Sequence, residues 1–344
     1  MQRRGITVLV GAVVVLLLTL GVMVAPVPYV VLQPGPTWDT LGDSNDGEPV
    51  LEFDGEAELS DSAGELHLTT VSVQPSVNLL DAIYAWFDGD DAVVPEELVY
   101  PPEQSREEVE QRNAEQFTRS QSDAEVAALS YLGYPSRVLV VTVVADGPAA
   151  QAGLLSAGDV LTSVNGTEIT EADQLRELVT AQPAGATLTI EYVRDGEPGT
   201  AEVTTASLGN GDDTPRLGVE VAEEVDAPFE LTIGLERIGG PSAGLMFALG
   251  IIDKLDPEDL TGGEIIAGTG TIDGAGNVGA IGGVPQKLVA AGELGAVAFL
   301  VPAANCAEAV ANAPAGLMLV RVETLVDAVD ALAALRADRD PAAC

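Results

Sequence analysis

Between Ile6 and Val24 the chain reads ITVLVGAVVVLLLTLGVMV, a run without one charged residue. At about 1.5 Å per residue, a helix of that length nearly crosses the roughly 30 Å apolar core of a bilayer. No polar face interrupts the run, so a buried helix of a soluble core does not account for it. Arg3 and Arg4 flank it on the short side. That predicts a cytoplasmic N-terminus, an uncleaved single-pass anchor within 1–25, and the bulk of the chain extracytoplasmic at the cell membrane. A cleaved leader would have a shorter apolar stretch and a small-residue cleavage site, which Pro26-Val27-Pro28 does not supply.

Charge and composition narrow what the exterior part does. The 344 residues include 15 basic and 54 acidic ones, a formal charge of −39. A nucleic-acid partner is excluded, because phosphate binding needs a basic footprint that displaces counterions. Hydrophobic residues make up 47% of the chain, enough for true cores, so wholesale disorder is excluded as well. With one histidine (His67) and two cysteines (Cys306, Cys344), a His/Cys-rich metal site is excluded. Two cysteines do not make a disulfide framework. They allow either a bond in an oxidising compartment or a free buried Cys306 and a loose Cys344, and spacing does not choose between these.

Length and pattern divide the chain into several parts that contain both strands and helices. Residues 26–125 form a mixed N-terminal region. In it, the Pro-, Gly- and Asp-rich 26–50 reads as a linker, Leu66–Val73 as a strand that holds His67 structurally, and 105–132 as a helix. Ser105 and Glu108 fit a capping box at that helix start. The acidic clusters at 88–91 and 212–213 lack calcium-loop spacing and read as solvated turns. Residues 126–206 form a unit with strands at 138–144 and 187–194, an Asn165-Gly166 hairpin turn, a helix 171–180 capped by Thr170, and an Asp195-Gly196 turn. The Asn165 sequon needs no glycan, since the turn explains it. Residues 207–217 read as a linker opening the last domain, 207–344.

That domain carries the chemistry. Gly239-Gly240-Pro241-Ser242-Ala243-Gly244 precedes an apolar stripe at Leu245, Leu249 and Ile252. The pattern places Pro241 in the first helical turn and Ser242 at a helix N-terminus, where the amides of Gly240, Ser242 and Ala243 are candidates to hold an oxyanion. Gly274-Ala275-Gly276-Asn277-Val278-Gly279 matches G-x-G-x-x-G, but Ala280–Pro285 cannot open the helix a dinucleotide site requires. A phosphate-binding loop fails too, since neither lysine follows glycine. The chain has only two lysines, Lys254 and Lys287. Lys287 falls just inside a helix starting near Pro285, where the helix dipole and partial burial would both lower its pKa. A neutral lysine takes a proton from a serine hydroxyl, whereas arginine cannot. Lys254, among Asp253, Asp256 and Glu258, reads as a solvated helix end.

GGPSAG followed forty-odd residues later by GAIGGVPQK resembles the proteolytic domain of Lon proteases. GPAAQAGLLSAGDVLTSVNG resembles a PDZ domain, whose groove would lie between the 138–144 strand and the 171–180 helix, with Leu132-Gly133-Tyr134 as its loop. With the anchor, the whole is similar to bacterial membrane-anchored, PDZ-containing Lon-like serine proteases. The resemblance covers 66–73, 120–133, the PDZ-like unit and 229–303. It implies an α+β fold with a Lon-type proteolytic domain, Ser242 as nucleophile, Lys287 as general base, Thr269 as the lysine's hydrogen-bond partner, no metal or cofactor, and protein or peptide substrates selected by the PDZ domain. Lon rings make a homo-oligomer a further expectation. Two departures stand out: these residues include no ATPase domain, so ATP-driven unfolding is not expected, and Gly239 stands where many Lon domains have an acid. The rival reading is an inactive membrane-tethered peptide-binding scaffold. Retention of both Ser242 and the rarer basic residue at 287 favours an enzyme.

Overall fold

The computed structural model describes residues 2–23, 25–44, 47–207, 212–235 and 238–344, and within the N-terminal helix the side chains of 9–19 and 21–23. The chain folds as mixed α and β in two units, one of 1–52, 58–124 and 231–344, the other of 53–57 and 125–230.

The first unit is built on a six-stranded sheet. Its order is Met318–Val322, Ala298–Pro302, Ile265–Gly268, Glu65–Gln74, Tyr29–Asp39, Ala92–Pro95. The first four run parallel to their neighbours. Tyr29–Asp39 is antiparallel to both strands it pairs with. Ala298–Pro302 is buried at every position, as a strand covered on both faces must be. The helix Gly244–Leu255 is buried along almost all its length, which explains its lack of a polar face. Leu325–Arg336 opens with a full capping box between Thr324 and Asp327.

Tyr29–Asp39 corrects the linker expected over 26–50. Prolines hid it: Pro34 and Pro36 flank a register shift, beyond the four residues that pair with Ala92–Pro95. Proline is tolerated there because no ladder bond needs its missing N–H. Val30 and Val31, just before, are buried. The helix Arg106–Tyr131 follows the expected capping box, with Glu108 N–H donating to Ser105 Oγ at 3.2 Å and Ser105 N–H to Glu108 Oε2 at 2.7 Å. Cys306 and Cys344 are joined in a disulfide, so neither is free.

The N-terminal residues Gln2–Met23 form one helix. Among the described residues no helix is long and apolar enough to cross a membrane. Part of the span expected over 6–24, namely the side chains of 6–8 and 20 and all of Val24, lies outside the described residues.

The second unit has a sheet ordered Val219–Val225, Ser136–Val143, Val160–Val164, Thr187–Arg194, Glu197–Thr204, with Thr167–Glu168 paired to Val160–Val164. Alternating Val138/Val140, Leu188/Ile190 and Ala201/Val203 form its core. Both expected tight turns are present, with Asn165 and Asp195 at φ 51° and Gly166 and Gly196 at φ 77° and 81°. The helix Ala172–Thr180 is not capped by Thr170. Instead the Ala172 amide donates to Glu223 Oε1 at 2.7 Å. Asp159 is fully buried, and Arg194 grips it through Nε (2.6 Å) and a terminal nitrogen (2.8 Å). Burial alone would raise the Asp159 pKa, but the Arg194 and Ser156 hydrogen bonds outweigh it and hold the carboxylate low.

Candidate active site

Ser242 sits two residues before the helix Gly244–Leu255, so Pro241 precedes the helix and does not occupy its first turn. The serine is fixed by its own backbone. Its carbonyl accepts the Gly270 amide at 2.9 Å and the Thr269 hydroxyl at 3.0 Å, and the Leu245 amide returns a bond to the Gly270 carbonyl at 3.1 Å. This lacing demands close approach. A Cβ on Gly244 would lie 2.6 Å from Ser120 Oγ and 2.9 Å from Ile272 Cγ2. The small residues around the serine therefore serve packing as much as access. Ser120 Oγ also donates to the Pro241 carbonyl at 2.9 Å.

Lys287 enters from the helix Val284–Leu294, whose N-cap Gly283 adopts φ 71°. Positive φ is cheap only for glycine, and it turns the chain sharply from the Ala280–Gly282 segment into the helix. The lysine is 2% exposed. Its Nζ donates to Ser242 Oγ at 2.8 Å and to Thr269 Oγ1 at 2.8 Å. Burial pushes its pKa down to about 7. Desolvation is the cause; the helix dipole expected to share the effect is not needed. Ser242, Thr269 and Lys287, drawn from three separate elements, thus meet in one cluster.

The cluster opens into a cleft lined by Trp38, Thr70, Val71, Ile238 and Ile281. Trp38 had no sequence signal, because it lies in the strand that was read as linker. Of the three expected oxyanion donors, Gly240 is otherwise engaged: its amide donates to the Asn113 carbonyl at 3.0 Å. Ala243 is the buried N-cap of the helix Gly244–Leu255. His67 stays apart from the cluster, its Nε2 2.6 Å from Glu65 Oε2. Lys254 sits in the last turn of the serine's helix, away from the cluster and partly exposed.

The peptide groove is not where the sequence suggested. Ser136–Val143 is hydrogen-bonded on both sides, by Val219–Val225 and by Val160–Val164, so it has no free edge. The Leu132-Gly133-Tyr134 loop closes a helix, with Tyr134 N–H donating back to the Leu129 carbonyl at 3.0 Å and Gly133 at φ 85°. The sheet instead ends at Val219–Val225, whose outer edge no strand pairs with among the described residues. The helix Ala172–Thr180 lies against that strand. An open edge beside a helix is where an extended peptide can add a strand.

Two stretches of the chain match known domain families. Residues 229–334 match the Lon protease (S16) C-terminal proteolytic domain, and residues 109–205 match the PDZ domain. A DegP-like periplasmic serine endoprotease of Pseudomonas fluorescens is 39% identical over 128 residues, 32% of this chain and 27% of the relative. Its counterpart in Pseudomonas putida is 36% identical over 124 residues, 32% of this chain and 25% of the relative. The chain thus spans about a quarter of the length of the curated relatives it matches. Among solved structures, the PDZ domain of the SdrC-like protein of Listeria monocytogenes is 25% identical, covers 24% of this chain and 85% of that one, and superposes with a TM-score of 0.23. The matches support a PDZ-containing protein with a serine-protease domain in a mixed α+β fold.

Proposed function

We propose that this chain is a membrane-anchored, ATP-independent serine endopeptidase working through a Ser242–Lys287 dyad. One observation carries the reading: a buried lysine, half neutral near pH 7, 2.8 Å from the hydroxyl of a serine at the mouth of a cleft. A neutral amine has two hydrogens and one lone pair. Thr269 spends its own hydrogen on the Ser242 carbonyl, so toward Lys287 it is an acceptor. One amine hydrogen goes to Thr269, and the lone pair is left for the Ser242 hydroxyl.

Lys287 takes that proton as Oγ adds to the scissile carbonyl carbon. The Ser242 and Ala243 amides are the donors we assign to the resulting oxyanion. The lysine then returns the proton to the departing amine nitrogen, leaving an acyl ester on Ser242. A water adds to the ester carbonyl as Lys287 takes its proton; the acyl C–Oγ bond then breaks, the lysine returns the proton to Ser242 Oγ, and the new carboxyl end of the substrate leaves. Substrates are proteins or peptides recruited as an added strand on Val219–Val225. The apolar helix Gln2–Met23 anchors the enzyme, and the Cys306–Cys344 disulfide supports an oxidising exterior compartment.

The test compares Ser242→Ala, Lys287→Arg and Lys254→Arg on an unfolded substrate, with and without ATP. Ser242→Ala and Lys287→Arg should lose turnover at least about a thousandfold, Lys254→Arg should keep it, and ATP should change nothing. Full turnover in Lys287→Arg would sink the dyad and leave the scaffold reading in its place.

A further inference from the structure

The helix Leu79–Phe87 carries more apolar surface than its packing uses. Its inner residues Ala82 and Ala85 pack on Val31 and Val77. On the outer side Leu80, Ile83, Tyr84 and Phe87 follow i, i+3, i+4, i+7, one continuous stripe, with Trp86 beside it. All five are exposed, Phe87 to 85% and Trp86 to 73%. Soluble surfaces rarely show so dense an apolar patch without an occupant.

The occupant is indicated by where the helix begins. Asn78, its N-cap, forms a β-bridge with Pro26, and the Val27 amide donates to the Val77 carbonyl at 3.1 Å. The stripe is thereby tied within a few residues to the end of the helix Gln2–Met23, whose exposed Leu16, Leu17, Leu18, Val22 and Met23 form the apolar surface assigned above to the bilayer. The two helices touch. The anchor and the helix that bears the aromatic stripe are therefore neighbours. Charge selects among partners. Exposed Asp81 lies on this helix and exposed Asp90 just beyond its end, an acidic rim, and no lysine or arginine occurs between residues 5 and 105. A second copy of a chain with net charge −39 would be repelled by that rim, and anionic headgroups would give no attraction. Tyr, Trp and Phe at the level where an anchor leaves the membrane are the side chains that settle at the headgroup–acyl boundary.

We infer that Leu79–Phe87 lies in the bilayer interface as a second, non-spanning contact that holds the body of the protein against the membrane. The inference rests on the anchored reading, and its test separates the two. The full chain carrying Trp38→Phe keeps Trp86 as its only tryptophan. It is reconstituted into phosphatidylcholine vesicles whose acyl chains are brominated near the headgroup. The expected result is flotation with the vesicles, a blue-shifted Trp86 emission, and strong bromine quenching that Ile83→Asp combined with Phe87→Asp abolishes while flotation persists. Flotation with Trp86 unquenched overturns the interfacial helix and leaves the anchor standing. Failure to float overturns the anchor and this inference with it. An unquenched Trp86 whose emission shifts with self-association would make the face a contact between copies, and would likewise overturn the lipid assignment.

Discussion

Burying Lys287 costs the fold stability. Its pKa falls from an ordinary 10.5 to about 7 in the folded chain. Between those values the unfolded chain holds a proton that the folded chain has lost, so stability rises with pH through that window and the full penalty is felt below about pH 7. The shift corresponds to about 5 kcal/mol, reduced in practice by the hydrogen bonds to Ser242 and Thr269. Lys287→Met should therefore abolish hydrolysis yet stabilise the protein at pH 6 by about 2–4 kcal/mol in urea unfolding. The gain should shrink as pH approaches 10. The proposed mechanism makes the neutral amine the base, so in the wild type kcat/KM should climb with pH through about 7 and level off above it. This residue was legible in the sequence because lysine is so rare here that its position carried information. The Ser120 and Asn113 contacts that steady the serine's loop were not, because residues more than a hundred positions away leave no local pattern.

At the scale of single elements, the helix that presents Ser242 ends on a second buried ionisable group. Asp253 is fully buried; desolvation is the largest influence on it and pushes its pKa up to about 6, against the opposing Leu260 amide bond of 2.7 Å. From about pH 4 to 6 the folded state keeps a proton the unfolded state has released, so this carboxyl lowers stability as pH rises through that window. An asparagine fits the same partners, accepting from Leu260 and donating to Ser62. Asp253→Asn should gain about 1–3 kcal/mol at pH 8 and almost nothing at pH 4, measured by denaturant midpoint. In the other unit, Asp159→Ala removes the buried acceptor of Arg194 and of the Ser156 amide and should lower the denaturant midpoint, whereas Arg194→Ala, which leaves the buried carboxylate without its cation, should lower it further. Elements with local signatures were readable here: the Ser105–Glu108 box, the Asn165-Gly166 turn and the strand 187–194 all follow from residues within a few positions of each other. The strand Tyr29–Asp39 was not, because its prolines are tolerated only through a bulge that depends on a partner forty residues on. The open edge of the second sheet was missed for a similar reason. Its strand, Val219–Val225, enters the sheet from beyond a Gly- and Asp-rich connection that looks like a boundary in the sequence.

On the scale of the molecule, the disulfide closes a loop of 38 residues between Cys306 and Cys344. The chain-entropy estimate for such a loop is about 4 kcal/mol. Replacing both cysteines with serine should lower stability by about 2–4 kcal/mol in oxidising buffer, and the wild type should fall to the same level on reduction. The bond also fixes where the tail lies. Met318–Val322 is the last strand of its sheet, and the C-terminal residues run along it: the Arg321 amide donates to the Ala342 carbonyl at 2.8 Å, and the Cys344 amide to the Leu319 carbonyl at 3.3 Å. An uncovered terminal strand is a template on which other chains polymerise. The sulfur link therefore acts as a guard against edge-to-edge aggregation, and a reduced protein should form light-scattering aggregates at temperatures where the oxidised one stays clear.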